Sequence, residues 1–445
     1  MMTQTAVLNQ LYPAFTVSTA QLRLMIESFR RDMIAGLTGK PASLAMLPSG
    51  LTKPAGQETG AFLALDFGGT NVRAFLIELQ GNGRHALLKR RDAPLVDPAG
   101  LYNYAAATAT AEELFNFLAA QAAALSESNR DYCLGFTFSF PFKLYDAANA
   151  VLLYWTKEIA TSGVAGKNVA ALLRDALTRQ GMDNIRPAAI VNDTVSTLIA
   201  AAYRDAAADI GSICGTGHNT CYLEPGALNC HGQPTYLNIE SGNFDQAPAN
   251  AYDRLLDRNS ERPGAGRLEK GCSGRYIGEL LRLVLLDLSH QGLLPPLPAG
   301  GPPPYALTGK DLALLLEDAT PDLQGISHWL SELGGADGGY PGRAALKTAA
   351  ALISRRSARL ATATYVAILH HIDPGLTRRH VIAIDGSLYE KLPGYAAAIA
   401  ETLAELLGQS AENVSCRLSK DGSGLGAAVA AATTLGSAAF TPRRL

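Results

Sequence analysis

The chain has 445 residues, 47% of them hydrophobic and 18% charged, with a formal net charge of −2. That length accommodates two ordinary domains, each with its own core, while 38 basic against 40 acidic residues exclude the basic surplus of a nucleic-acid binder, and no apolar run is long enough for a membrane span. The cysteines at 133, 214, 221, 230, 272 and 416 have no CxxC spacing and read as packed, reduced thiols of a cytoplasmic protein rather than a disulfide or zinc framework.

The opening stretch Met1 to Val17 is mildly apolar but broken by Asn9, Gln10 and Pro13, so it is no secretory segment. Ser18 with Gln21 makes a capping box, and Leu22, Met25, Ile26, Phe29 and Met33 form one helical stripe ending near Gly36. A Pro- and Gly-bearing connection, 48–60, leads to an apolar run from Leu63 that meets Asp66, turns at Gly68-Gly69, and resumes from Ala74 to Leu79. This reads as a hairpin built around an anion, in which Gly68 and Gly69 allow φ > 0 and let backbone N–H groups face a phosphate. Strands and Ala-rich helices then alternate: a strand in Leu134 to Phe140, a helix carrying Val169, Leu172, Leu173, Ala176 and Leu177, and a strand in Ala188 to Val191. Asn192-Asp193-Thr194 opens a helix to Tyr203. A second glycine turn, Gly215-Thr216-Gly217, stands between apolar runs in Ile210 to Tyr222. Ile277, Leu280, Leu281, Val284, Leu285 and Leu288 follow at helical spacing, and 295–305 is a proline-rich surface insertion. Val381 to Ile384 is a buried strand closed by Asp385-Gly386-Ser387, and Asp421-Gly422-Ser423-Gly424 introduces a small-residue helix from Gly426 to about Thr434. The alternation is that of an α/β protein.

Neither a Walker loop nor a dinucleotide GxGxxG is present, since the first glycine pair turns into another strand. Any one such pair is satisfied by a purely structural hairpin. Three polar glycine turns, each after an apolar strand, point instead to phosphate and adenosine. Asp66 is suited to a hydrated Mg²⁺, and Arg73 to balancing phosphate charge. Asp193 has two readings: a carboxylate that takes the proton of an attacking hydroxyl, or a helix cap. Lys157, Glu240 and Glu269 taken singly read as surface charges. His218 reads as a turn residue, and His370-His371 and Arg355-Arg356 as structural.

The motifs in sequence resemble those of the hexokinases, of the actin-like ATPase superfamily, over nearly the whole chain. The first phosphate turn is Leu65-Asp66-Phe67-Gly68-Gly69-Thr70-Asn71-Val72-Arg73, the sugar segment Leu134 to Pro141 followed by Trp155-Thr156-Lys157, and the catalytic segment Val191-Asn192-Asp193-Thr194. Gly215-Thr216-Gly217-His218-Asn219 resembles the second phosphate turn, Asn238-Ile239-Glu240 and Glu269 to Gly274 the further sugar segments, and Ile384 to Tyr389 with Asp421 to Gly424 the adenosine side.

The resemblance implies two actin-like (ribonuclease H-like) α/β domains around a deep cleft, 55–190 plus 425–445 and 1–54 plus 191–424. It implies MgATP-dependent phosphorylation of the C6 hydroxyl of glucose, with fructose and mannose as further hexoses, the entry step of glycolysis. Asp193, Lys157 and Arg73 would be catalytic. Ser139, Thr156, Lys157, Asn192, Asp193, Asn219, Glu240 and Glu269 would face the sugar. Asp66, Gly68, Gly69, Thr70, Asn71, Arg73, Thr216, Gly217, Gly386 and Ser387 would face the nucleotide, with Asp66 in the outer shell of an Mg²⁺ held by ATP. The expected partners are hexose and MgATP, with neither nucleic acid nor membrane, in a monomer or homodimer. The chain departs from the family's pattern at Glu158-Ile159, Ser241-Gly242-Asn243 and Lys420, which rim the two pockets. Two rival readings stay open: a catalytically silent hexokinase-like sugar sensor, and an actin-like filament or chaperone ATPase. The phosphate-facing set argues against the first and the sugar-facing set against the second.

Overall fold

The computed structural model describes residues 4–156, 159–336, 338–420 and 422–437. Two helices open the chain, α1 (Gln4–Phe15) and α2 (Thr19–Leu37). α1 is a helix the sequence pattern did not announce: Val7, Leu11 and Phe15, one turn apart, are buried, and Pro13 stands in its last turn, where it forfeits one i→i−4 bond but leaves little helix beyond it to disrupt. α2 is capped as expected, Ser18 and Gln21 bonding each other's backbone N–H, and buries its whole stripe.

After β1 (Leu47–Pro48) come β2 (Thr59–Phe67), β3 (Asn71–Gly81), β4 (Arg84–Pro94), α3 (Ala111–Ala123) and β5 (Tyr132–Phe138). A two-stranded flap, β6 (Phe142–Asp146) and β7 (Asn149–Leu152), precedes α4 (Val169–Arg179) and β8 (Ile185–Val191). The first sheet runs β4-β3-β2-β5-β8, with β2, β5 and β8 parallel. Asp66 is registered with Thr137, and Thr137 with Val191. The loops after all three parallel strands therefore leave the sheet at one edge, where ligands of such sheets gather.

α5 (Asp193–Arg204) leads to the second sheet: β9 (Ala208–Cys214), β10 (His218–Leu228) and β11 (Pro234–Asn238). A helical stretch follows, α6 (Ala251–Arg258), α7 (Arg267–Cys272), α8 (Gly274–His290), α9 (Gly309–Glu317), α10 (Gln324–Glu332) and the long α11 (Gly339–Ile372). The proline-rich insertion holds one short 3₁₀ turn, Pro298–Gly300. β12 (His380–Asp385), α12 (Ser387–Lys391), α13 (Tyr395–Leu407), β13 (Val414–Leu418) and α14 (Gly422–Ser437) complete the chain. The second sheet runs β1-β11-β10-β9-β12-β13.

Each sheet has its own apolar core on its outer face. A third core lies between them, where Phe62 and Phe75 of the first sheet and Cys221 and Tyr236 of the second enclose Leu198 and Ile199 of α5 and Leu425 and Val429 of α14. α14 is seated by backbone contact. A Cβ added at Gly135 would stand 1.8 Å from the Ala427 carbonyl oxygen, and one at Gly426 would stand 1.9 Å from the Ser196 carbonyl oxygen. The helix also begins at Gly422, earlier than the sequence pattern predicts. Its first turn is held by Thr137 and Ser196, whose hydroxyls both donate to the Ser423 carbonyl at 2.8 Å.

Candidate active site

The first glycine turn joins β2 to β3. Asp66 is buried, and Arg73, its cross-strand partner, brings Nη1 to 3.4 Å from Asp66 Oδ2. With the Arg73 side chain 43% exposed, this pair contributes little stability, about 1 kcal/mol or less. Its guanidinium lies within reach of a ligand. Gly69 does not use the positive φ that glycine allows, and a Cβ there would meet nothing within 4 Å. The turn's glycine thus leaves space in front of the backbone rather than relieving a left-handed residue. Asn71 donates to the Thr70 hydroxyl at the exposed end of the turn.

The second turn, Gly215-Thr216-Gly217, joins β9 to β10 and is clamped by the start of α8: Gly274 N donates to Gly215 O at 2.8 Å and Arg275 N to Thr216 O at 3.1 Å. Gly386, after β12, has φ 126°, and a Cβ there would lie 2.3 Å from the Cys214 carbonyl oxygen. The turn at Gly386 and Ser387 is therefore pressed onto the second glycine turn, a contact only glycine makes. These two turns are brought together by register, since Asp385 pairs with Ile213.

His218 is the first residue of β10 rather than part of the turn. Its backbone N–H donates to Glu269 Oε1 at 3.3 Å. Burial lowers its pKa to about 4, against a bond to the Ile213 backbone that favours the charged ring. The unfolded chain takes up a proton on this residue near pH 6.5, whereas the folded chain does so only near 4. Its share of stability is complete above 6.5 and is lost as pH falls towards 4, about 3 kcal/mol in all. Urea midpoints between pH 7 and 4 are expected to fall more steeply for the wild type than for His218→Asn. Equal slopes would exclude this.

The sugar-facing candidates form a hydrogen-bonded chain on the second sheet. Asn219 Nδ2 donates to Asn238 Oδ1 at 2.8 Å, and Asn238 Nδ2 donates to Glu240 Oε1 at 2.7 Å. Asn219 Oδ1 accepts from the Ser241 N–H at 3.2 Å. Glu240 itself has φ 56°, an uncommon conformation for a side-chain-bearing residue and one that concentrates at functional sites. Glu269 is carried on α7 beside Gly217, where a Cβ would stand 2.8 Å from Glu269 Oε1. Asn238, buried at the centre of this chain, belongs to the Asn238-Ile239-Glu240 segment but has no role of its own in the sequence reading, because an Asn at a strand end does not show what it will link.

The first sheet supplies the opposite side. Ser139 is buried just beyond β5, its N–H donating to Phe67 O at 3.0 Å. Trp155 packs edge-on against Phe140, with centroids 4.8 Å apart, and its indole donates to the Thr161 carbonyl, fixing the backbone that leads to Thr156. Lys157 lies outside the described residues, as do Glu158 and Asp421. At the start of α5, Asn192 is the N-cap, its Oδ1 accepting from Thr194 N at 2.9 Å. The capping duty that sequence left open for Asp193 thus falls to Asn192. Asp193 is the first helical residue, half-buried, with Oδ1 accepting from Thr194 N. Asn192 and Asn238 line one cavity of about 20 Å³ together with Phe140 and Pro48, so residues from both sheets meet there.

Among the described residues no group of three or more His, Cys, Asp or Glu is placed to hold a metal. Asp66, a single carboxylate at the phosphate turn beside Arg73, fits a cation that arrives on phosphate oxygens and waters, not one caged by protein. No helix among the described residues is long and apolar enough to cross a membrane.

Sequence models of the family described as hexokinase match residues 7–203 and 209–433. The break between them falls where α5 passes into β9. Hexokinase-7 of Oryza sativa subsp. japonica is 37% identical over 432 residues, covering 90% of this chain and 91% of its own. The chloroplastic hexokinase-2 of Nicotiana tabacum is 34% identical over 442 residues, covering 92% and 87%. Among solved structures, the Schistosoma mansoni hexokinase complexed with glucose superposes with a TM-score of 0.80 at 29% identity, over 97% of this chain and 100% of that one.

Proposed function

Since the chain belongs to the hexokinase family and has its two-domain actin-like fold, we propose that it transfers the γ-phosphoryl group of ATP to the C6 hydroxyl of glucose and related hexoses, giving hexose 6-phosphate and ADP. The observation that supports this reading is that two unlike sets of residues are present, the second turn lying against Glu269 at Gly217 and leading along β10 directly to Asn219. The Asp66–Arg73 turn and the clamped Gly215–Gly217 turn suit phosphate, while the Asn219–Asn238–Glu240 chain suits a ring of hydroxyls.

In this reading Ser139, Thr156, Asn192, Asn219, Glu240 and Glu269 direct the sugar by paired donors and acceptors. An analogue lacking one hydroxyl leaves a buried group unpaired and is rejected. Asp193 accepts the C6 proton as the oxygen attacks. Its place at the start of α5, with capping left to Asn192, keeps the carboxylate beside the cleft. Gly68 to Asn71, Thr216, Gly217, Gly386 and Ser387 present backbone and hydroxyl donors to the nucleotide, and Arg73 and Lys157 balance charge on the transferring group. When bound, Mg²⁺ neutralises phosphate charge, with Asp66 positioning its waters. The lobes 55–190 plus 425–445 and 1–54 plus 191–424 close on the sugar and exclude water, the competing nucleophile. A cytoplasmic monomer or homodimer is the matching form.

A coupled ADP-release assay with glucose, fructose, mannose and no sugar tests the reading. Release is expected to depend on hexose, with glucose among the substrates. Sugar binding without release would make the protein a sensor, and sugar-independent release would make it another kind of ATPase.

A further inference from the structure

The mouth of the cleft carries a contact that neither glycine turns nor sugar residues require. Tyr154 follows the flap of the first-sheet lobe and is 43% exposed. The guanidinium of Arg262, from the loop between α6 and α7 of the other lobe, stands over its ring at 5.1 Å from the centroid. Both ends are mounted on pinned backbone. On one side Leu153 N donates to Pro141 O at 2.9 Å, and the Trp155 indole is bonded to Thr161. On the other, Lys270, only 4% exposed, donates to Asp257 Oδ1 at 2.5 Å and to the Arg262 carbonyl at 2.8 Å. Both Asp257 oxygens accept from Gly264 N at 3.0 Å. A buried lysine spent on a loop carbonyl fixes where that loop points.

Each end is also tied to a sugar-facing candidate: Thr156 lies two residues beyond Tyr154, and Glu269 immediately precedes Lys270. We propose that Arg262 and Tyr154 are positioning residues, a latch across the cleft mouth that holds the Thr156 side and the Glu269 side at the separation a hexose needs. The inference rests on the sugar-kinase reading of the same cleft. The latch stabilises the closed form with and without substrate, so it acts on sugar affinity more than on the chemical step.

The test is a double-mutant cycle on the full chain with Arg262→Ala and Tyr154→Leu, with Tyr154→Phe as the conservative variant. Each disruptive variant is expected to raise the glucose KM about threefold at unchanged kcat, the size of an exposed cation–π contact. The double variant should be no worse than either single one, and Tyr154→Phe, which keeps the ring, should behave as the wild type. Additive losses, a fall in kcat in place of the KM rise, or damage by Tyr154→Phe equal to that by Tyr154→Leu would overturn the latch. Small-angle scattering of the sugar-free protein separates this from the functional reading: both disruptive variants should have a larger radius of gyration than the wild type. An unchanged radius overturns the latch even if no sugar is turned over.

Discussion

Asp193→Ala is expected to reduce hexose-dependent ADP release by about 10³-fold or more, in line with loss of a positioned general base, while glucose binding stays measurable by calorimetric titration. The expectation combines local chemistry with local structure. Asp193 is half-buried at the first position of α5, and its Oδ1 takes the Thr194 amide, which orients the carboxylate without consuming both oxygens. Helix capping belongs to Asn192, so the substitution should leave the melting temperature nearly unchanged. Turnover within a few-fold of wild type would remove Asp193 from the chemistry. A large drop in melting temperature would show instead that the residue holds α5 in place.

The second large effect concerns a residue outside the candidate site. Gly135→Ala is expected to destabilise the protein by more than about 3 kcal/mol, the upper range for overpacking, because the new methyl would lie 1.8 Å from a carbonyl oxygen of α14. Most overpacked sites relieve themselves by rotating a side chain, but here the obstacle is helix backbone. The helix must move bodily, and with it the Ser423 carbonyl that Thr137 and Ser196 hold. Gly426→Ala meets the same difficulty against Ser196. The two costs should be less than additive, since one displacement of α14 relieves both. Urea unfolding of the two single variants and the double variant measures this, and a wild-type midpoint for Gly135→Ala would refute the seating argument.

Much of the fold is legible in sequence where local signals agree. The Ser18–Gln21 box, the stripe on α2, the helical spacing on α8 and the apolar strands before each glycine turn all describe single elements whose burial depends on their own periodicity. What stays illegible depends on contact between distant segments. α1 escapes because a spacing of four over so few positions is faint beside Pro13, and only packing decides it. Gly69 offers two things in sequence, a freer φ and an uncovered backbone, and only the second is used, a distinction that depends on what stands in front of the turn. Gly135 and Gly426 look like small residues in a strand and a helix until α14 is laid on β5 and α5.

The arginine pair divides in the same way. Arg356 is buried and bonded through two nitrogens to Asp253, whereas Arg355 pairs with Glu401 in solvent. Adjacent positions on a helix face different environments, and the sequence does not say which is inward. At the site, Asp66 and Arg73 stand out in sequence as polar residues around a glycine turn, whereas Asn219, Glu240 and Glu269 are picked out only by their resemblance to family segments. Asn238 and Lys270 fall inside the same segments, but their roles as link and clamp stay hidden there, because their significance lies in what they hold.

The seating of α14 also bears on how the protein is made. Thr137 and Ser423 are bonded across 286 residues of chain, so the first-sheet lobe receives its covering helix only after the whole second sheet has been synthesised. Until then Ala64, Phe75 and Ala189, which pack in the core shared with α14, have no completed cover. A nascent chain therefore carries an unfinished apolar face while the second sheet is being translated, a period in which such surfaces invite aggregation. Sequences on that face answer to the ribosome-bound intermediate as well as to the finished enzyme.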